Sequence, residues 1–360
     1  MIRDKLNVLR EEAGTQRGLI AEYHKKYAEL AEHIQPQPHG VRGQTSSKHF
    51  LIISNGRTGS SWLETNFNQL PDVRAYRQIG WRLGDQPDHP QRYSINKSDS
   101  MIAIIDAACD SREPKPLKVA GSKFVFQPYT YTHMDVHVQL ENCTEHSIKL
   151  IFLKRAYLES FLSWKARGVA HSINPIVNAT QRIPNVLKTH IAPAKLRHLI
   201  LTARSVPLSD AAGTHYPINR AIDDILVMFS NDIFSQRLVI GRSGRITDYA
   251  HLSNEFPELA KFIGSDASAD TCRDIIANPL TQKLPELWDY LHPLEPLTEI
   301  AALLDNAVWR NDLMSVVWQA DNTLRLEITG LADAFERLGV VAKRDGDAVI
   351  WSPQKPLMMI

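Results

Sequence analysis

The residues best suited to chemistry come early. In "FLIISNGRTGSSWLETNF", residues 50–67, an apolar run stops at Asn-Gly-Arg-Thr-Gly, and two serines and a tryptophan open what reads as a helix. A strand feeding a glycine-bearing turn into a helix offers unpaired backbone N–H groups and the positive end of the helix dipole to an anion. Gly56 and Gly59 let the backbone come close, Arg57 adds a fixed positive fork, and Ser60 and Ser61 add hydroxyl donors. The usual phosphate loop, GxxxxGK[ST], is not written here, because no Lys-Ser or Lys-Thr pair follows the last glycine. A nucleoside triphosphate held through Mg²⁺ is therefore disfavoured. The plain alternative is a tight strand-to-helix turn with an exposed arginine.

A second stretch, "IKLIFLKRAYLESFLSWKARG", residues 148–168, strengthens the anion reading. An apolar strand ends in Lys154-Arg155 and a helix starts at once. Ser163 stands eight residues after Arg155, about two turns into that helix. A serine there can hydrogen-bond a phosphate that the arginine also grips. Taken singly, the arginine reads as a surface cap and the serine as a tolerated helix residue.

Together the two stretches resemble the paired signatures of the sulfotransferase family that uses 3′-phosphoadenosine 5′-phosphosulfate (PAPS). The family's basic-(Ser/Thr)-Gly-(Ser/Thr)-(Ser/Thr)-Trp loop reads here Arg57-Thr58-Gly59-Ser60-Ser61-Trp62. The resemblance implies that Arg57 bridges the 5′-phosphate and the transferring sulfuryl group, that Thr58 to Ser61 supply backbone and hydroxyl donors, and that Trp62 stacks on adenine. It implies a 3′-phosphate clamp at Arg155 and Ser163. "RITDYAHLSNEFPELAKFIG", residues 245–264, is similar to a third family segment and puts Tyr249 at the nucleotide. The likeness spans roughly residues 47–265.

The match is incomplete where a base should act. Sulfuryl transfer is an in-line displacement at sulfur, and a base takes the acceptor's proton. One branch of the family keeps a His two residues after a Lys; here the comparable Lys123 is followed by Val125. The wording looks more like the carbohydrate-modifying and bacterial branches, whose base is often a Glu on the strand after the first helix, but the matching place holds Gln78. Asp85, His89 and His133 are weak candidates, and the base stays unassigned. Lys123 is expected to stabilise charge on the bridging oxygen.

These groups need a sheet to hold them. Apolar β-rich runs at His49–Ser54, Leu117–Phe124, Ser147–Leu153 and Gly244–Tyr249 alternate with helical patterns at Ser60–Leu70, Thr132–Asn142, Tyr157–Arg167 and His251–Ile263. Such alternation predicts an α/β fold, a P-loop-like three-layer core around a central parallel sheet, with ligands beyond the carboxyl ends of the strands. The domain is expected over 47–310. Within it 171–235 reads as a helical, acceptor-side insert, whose stretch 171–220 has six Lys/Arg (Arg182, Lys188, Lys195, Arg197, Arg204, Arg220) against Asp210. That excess favours an anionic acceptor. Residues 1–36 carry a heptad-like helix, packed on its own domain or dimerising, and "QPQPHG" at 35–40 ends it. Residues 314–360 read as a small α+β appendage with a hairpin turning at Asp345-Gly346.

Composition narrows the rest. Hydrophobic content of 43%, charged content of 22% and a net charge of +1 fit a globular protein with no global field for nucleic acid. No run approaches the ~18 apolar residues of a membrane span. The N-terminus has no apolar h-region, and Cys109, Cys143 and Cys272 fit neither a disulfide framework nor a zinc site, so a cytoplasmic setting without a metal is expected. The expected activity is transfer of the PAPS sulfuryl group to a hydroxyl or amine of a sugar, glycolipid or small metabolite. Two rivals stand beside it: a kinase-like phosphotransferase and a non-catalytic nucleotide-binding scaffold.

Overall fold

The computed structural model describes residues 48–81, 92–95, 100–109, 118–126, 131–132, 134–161, 163–164, 218–277, 295–309, 316–319, 321–354 and 357–358. The expected N-terminal helix, the insert up to residue 217, and the candidates Asp85, His89 and His133 lie outside these residues.

Strand β1 (Lys48–Asn55) is buried along its whole length after Lys48. An apolar run buried on both faces belongs in the middle of a parallel sheet. The chain continues through α1 (Ser60–Phe67), β2 (Val73–Trp81), β3 (Arg92–Ile95), α2 (Met101–Cys109) and β4 (Val119–Phe126). Short β5 (Tyr131–Thr132), α3 (Met134–Cys143) and β6 (Lys149–Lys154) follow, then α4 (Ile218–Gly241) and β7 (Arg245–Asp248). The central sheet has the order β3-β2-β4-β1-β6-β7, with every neighbouring pair parallel. The four strands expected from the sequence are β1, β4, β6 and β7, displaced by one or two residues at their ends. Strands β2 and β3 join them. In β2 the polar residues Arg74, Arg77 and Gln78 break the apolar pattern, and its register with β4 shifts between Ala75 and Gln78.

Alternating residues of β1 point to opposite sides. Phe50 and Ile52 pack with Leu63 and Phe67 of α1, with Phe256 and Leu259 of α5 (Leu252–Ile263), and with Ile275 of α6 (Ala269–Ala277). Leu51 and Ile53 pack with Ile104 of α2, Leu140 of α3 and Val239 of α4. Each such side chain contributes about 1.5–3 kcal/mol of burial. The result is a three-layer α/β core with helices on both faces.

Helix α4 starts at Ile218, inside the span expected for the insert, and runs past 235 through the protein interior. Residues 221–236 are all buried. Its apolar positions from Ala221 to Ile233 face a further core built with Leu297, Ile300 and Leu304 of α7 (Glu295–Trp309) and with the C-terminal residues. Those residues form an antiparallel sheet in the order β10-β11-β9-β8, from β8 (Val316–Trp318), β9 (Leu324–Leu326), β10 (Lys343–Asp345) and β11 (Ala348–Trp351), with α8 (Leu331–Arg337) packed on it. The hairpin turns one residue later than expected. Asp345 still pairs with Ala348, so Gly346, at φ 61, and Asp347 make the turn. A last strand, β12 (Leu357–Met358), pairs with β5.

Candidate functional site

The loop after β1 is held in an unusual shape. Arg57 has φ 75 and Gly59 has φ 90, both left-handed, which costs a non-glycine residue about 1–2 kcal/mol. Thr58 is buried and its hydroxyl donates to the Asn55 carbonyl at 2.8 Å, while the Gly56 amide donates to Phe126 at the end of β4. Gly59 caps α1 without a side-chain hydrogen bond, and the first turn holds no acid. The Leu63 amide returns to the Gly59 carbonyl, and the amides before it, from Ser60 to Trp62, are left for a partner from outside the helix. A Cβ on Gly59 would lie 2.6 Å from the Tyr249 ring, so this close approach needs glycine.

Second-stretch residues meet this loop. Arg155, at the end of β6 and 5% exposed, donates from Nη1 to the Arg57 carbonyl at 3.1 Å. Its Nε donates to Glu159 at 3.1 Å, one helical turn on, and its guanidinium lies 4.2 Å from the centre of the Tyr249 ring. Arg57 Nε donates to Ser163 Oγ at 3.2 Å, with Ser163 6% exposed. Thus Arg57, Gly59, Arg155, Ser163 and Tyr249 converge at the carboxyl ends of β1, β6 and β7. The Arg57–Ser163 bond joins groups that the family resemblance assigns to opposite ends of the nucleotide.

On the other flank of α1, Lys123 of β4 donates to Ser61 Oγ at 2.9 Å and forms an ion pair with Glu64. Gln78 stands opposite Lys123 in the β2–β4 register. Ser60 is buried in the first turn, and Trp62 is half-buried, edge-on to Phe256 at 6.2 Å. Its packing ties it to the sheet-face core as well as to the loop.

Beneath the loop lies a buried polar cluster. Asn55 Nδ2 donates to the Met228 carbonyl at 2.8 Å and to Asp232 of α4, and Asn231 Nδ2 reaches Asn55 Oδ1. Burial raises the Asp232 carboxyl to about 8, opposed by the Lys154 ammonium nearby. Burial also lowers Lys154 to about 8, against the pull of Asp305 and Asp232. Lys154 Nζ donates to the Asp305 carbonyl at 3.1 Å, and the Asp305 carboxylate accepts the Tyr157 amide at the start of the following helical turn. Asn55, Asp232 and Asp305 carried no signal in the sequence, since their partners are 148 to 177 residues away. Glu64 had one: it stands three residues after Ser61 on the same helix, a spacing that puts both on one face.

Among the described residues no group of three or more His, Cys, Asp or Glu could hold a metal ion. No helix among them is long and apolar enough to cross a membrane.

No protein-family model and no curated protein sequence matches the chain. Among solved structures, similarity is found to a sulfotransferase from Alicyclobacillus acidocaldarius, with a TM-score of 0.34 and 14% sequence identity. The similarity covers 72% of this chain and 94% of that one.

Proposed function

We propose that the chain is a sulfotransferase that moves the sulfuryl group of PAPS to a hydroxyl or amine of a sugar, glycolipid or small metabolite. The observation that supports this reading is the convergence of two arginines, Arg57 and Arg155, with Ser163 and Tyr249 around an uncapped helix start. A doubly anionic nucleotide needs two cationic centres, and a sulfuryl group needs amide and hydroxyl donors but no magnesium carboxylate. The first-turn amides of α1, Arg57 and the Ser60 and Ser61 hydroxyls would hold the 5′ end. Arg155 and Ser163 would hold the 3′-phosphate, with Arg155 kept in place by the Arg57 carbonyl. Lys123 would face the oxygen that leaves. An anionic acceptor fits the basic sequence of 171–220. Positioning and charge stabilisation then carry the chemistry.

The reading is tested by calorimetric titration with 3′-phosphoadenosine 5′-phosphate against Mg²⁺-ATP, followed by radiolabelled PAPS incubated with a cell extract. Tighter binding of the 3′-phosphorylated nucleotide and a labelled acceptor product are expected. Preference for Mg²⁺-ATP would sink the proposal in favour of phosphoryl transfer. Nucleotide binding with no labelled product would favour a scaffold.

A further inference from the structure

The proposed reaction needs a base, and Gln78 cannot be one. We infer that Glu64, on the second turn of α1, takes the proton of the acceptor hydroxyl; the assignment rests on the sulfotransferase reading. Lys123 donates to Ser61 Oγ and is paired with the Glu64 carboxylate. Two acceptors on one ammonium nitrogen lie within about 6 Å of each other. The carboxylate is therefore within a side chain's reach of the helix start where the 5′ end is proposed to bind. Gln78 faces the same lysine across the β2–β4 register, so Glu64 brings from the helix a carboxylate that the strand does not supply. Both charged side chains are mostly shielded, Glu64 at 15% and Lys123 at 11% exposure, which limits competition from water.

Among the described residues, other acids at this end of the sheet are tied elsewhere, and Asp248 at the end of β7 accepts the Ala250 amide. Glu159 pairs with Arg155, Asp305 accepts the Tyr157 amide, and Asp232 is wholly buried beneath Asn55. Glu64 differs because its partner has a second role in the reaction. As the acceptor oxygen forms its bond to sulfur, the bond from sulfur to the 5′-phosphate oxygen breaks and the electron pair stays on that oxygen. The Lys123 ammonium turns towards the charge developing there, which frees a lone pair of Glu64 to accept the acceptor's proton. The products are a sulfate ester or sulfamate and 3′-phosphoadenosine 5′-phosphate, and the proton passes from Glu64 to water.

Glu64→Gln keeps the size of the side chain and an oxygen for Lys123 while removing the base. Transfer from radiolabelled PAPS to a pool of neutral sugars and uronic acids is measured, with calorimetry for 3′-phosphoadenosine 5′-phosphate. The expected result is transfer slowed by about a hundredfold or more, nucleotide affinity unchanged, and partial recovery in Glu64→Asp. Transfer by Glu64→Gln close to the wild-type rate overturns the assignment and leaves the sulfotransferase reading intact. So does equal loss of affinity and rate in both variants, which would make Glu64 a pin between α1 and β4. Wild-type protein that binds the nucleotide and sulfates nothing in the pool also overturns it, and wild-type protein that does neither overturns both readings.

Discussion

At the scale of single residues, the loop depends on a close contact and on a brace. Gly59 combines φ 90 with a Tyr249 ring where a Cβ would sit. Gly59→Ala therefore carries a conformational cost of about 1–2 kcal/mol plus a clash, and nucleotide affinity should fall with stability. Adding Tyr249→Ala should return the steric part only. A double-mutant cycle by thermal denaturation and calorimetry reads this; strict additivity would mean that the ring yields freely. Arg155 is a brace as well as a cation, since its Nη1 holds the Arg57 carbonyl. Losing a charge-assisted bond of about 1.5–3 kcal/mol should weaken 3′-phosphoadenosine 5′-phosphate roughly ten- to a hundredfold in Arg155→Ala. Adenosine 5′-phosphosulfate, which has no 3′-phosphate, should lose only about two- to fivefold through the relaxed loop. Equal losses would leave Arg155 with the bracing role alone.

At the scale of elements, the parts legible in the sequence were those with local signals. Strands β1, β4, β6 and β7 announce themselves as apolar runs, and α5 by Leu252, Phe256, Leu259 and Ile263 on one face. Strand β2 has no apolar run to announce it, because Arg74 and Gln78 interrupt the pattern, and the family resemblance alone put Gln78 on a strand; Arg74 finds a tertiary partner in the Cys109 carbonyl. The two anion stretches were legible because each is contiguous. The platform below them was not, because it is made by α4, which supplies Asn231 and Asp232 to a strand end some 176 residues earlier. That platform has a consequence for pH. Burial lifts Asp232 from 3.8 to about 8, so the folded protein holds a proton that the unfolded chain releases across that window. Stability should then fall as pH rises, by up to about 1.4 kcal/mol per unit. Asp232→Asn keeps an oxygen for Asn55 and removes the titration. Urea denaturation between about pH 5 and about pH 7 should show wild type losing stability relative to the variant; parallel curves would mean that Asp232 is ionised in the fold.

At the scale of the whole molecule, the C-terminal residues share a core with the elements that carry the site. From the sequence, 314–360 looked like an appendage. In the structure Trp351 Nε1 and the Gln354 amide both donate to Asp223 of α4, which also accepts the Tyr131 hydroxyl at 2.9 Å. Leu326, Leu331, Phe335 and Val349 pack with Ile300 and Leu304 of α7. The same helix carries Asp305, whose carboxylate holds the Tyr157 amide and whose carbonyl receives Lys154, the residue before Arg155. A physical chain thus runs from the C-terminal sheet through α7 to the second anion stretch. Deleting 314–360 would strip apolar cover from α4 and α7 and take the Trp351 and Gln354 donors from Asp223, so the shortened protein should lose its cooperative transition and its nucleotide binding together. Asp223→Ala is the milder probe. It leaves the Trp351 and Gln354 donors without their acceptor, while the Tyr131 hydroxyl keeps the main-chain carbonyl of residue 223, at a cost of about 1–3 kcal/mol. Chemical denaturation followed by circular dichroism gives the stability, and calorimetry with 3′-phosphoadenosine 5′-phosphate gives the site. If the deletion variant unfolded at the same midpoint and bound the nucleotide as well as the full chain, the C-terminal sheet would be a separate unit after all. A variant that kept its midpoint but lost affinity would instead localise the effect to the path through Asp305.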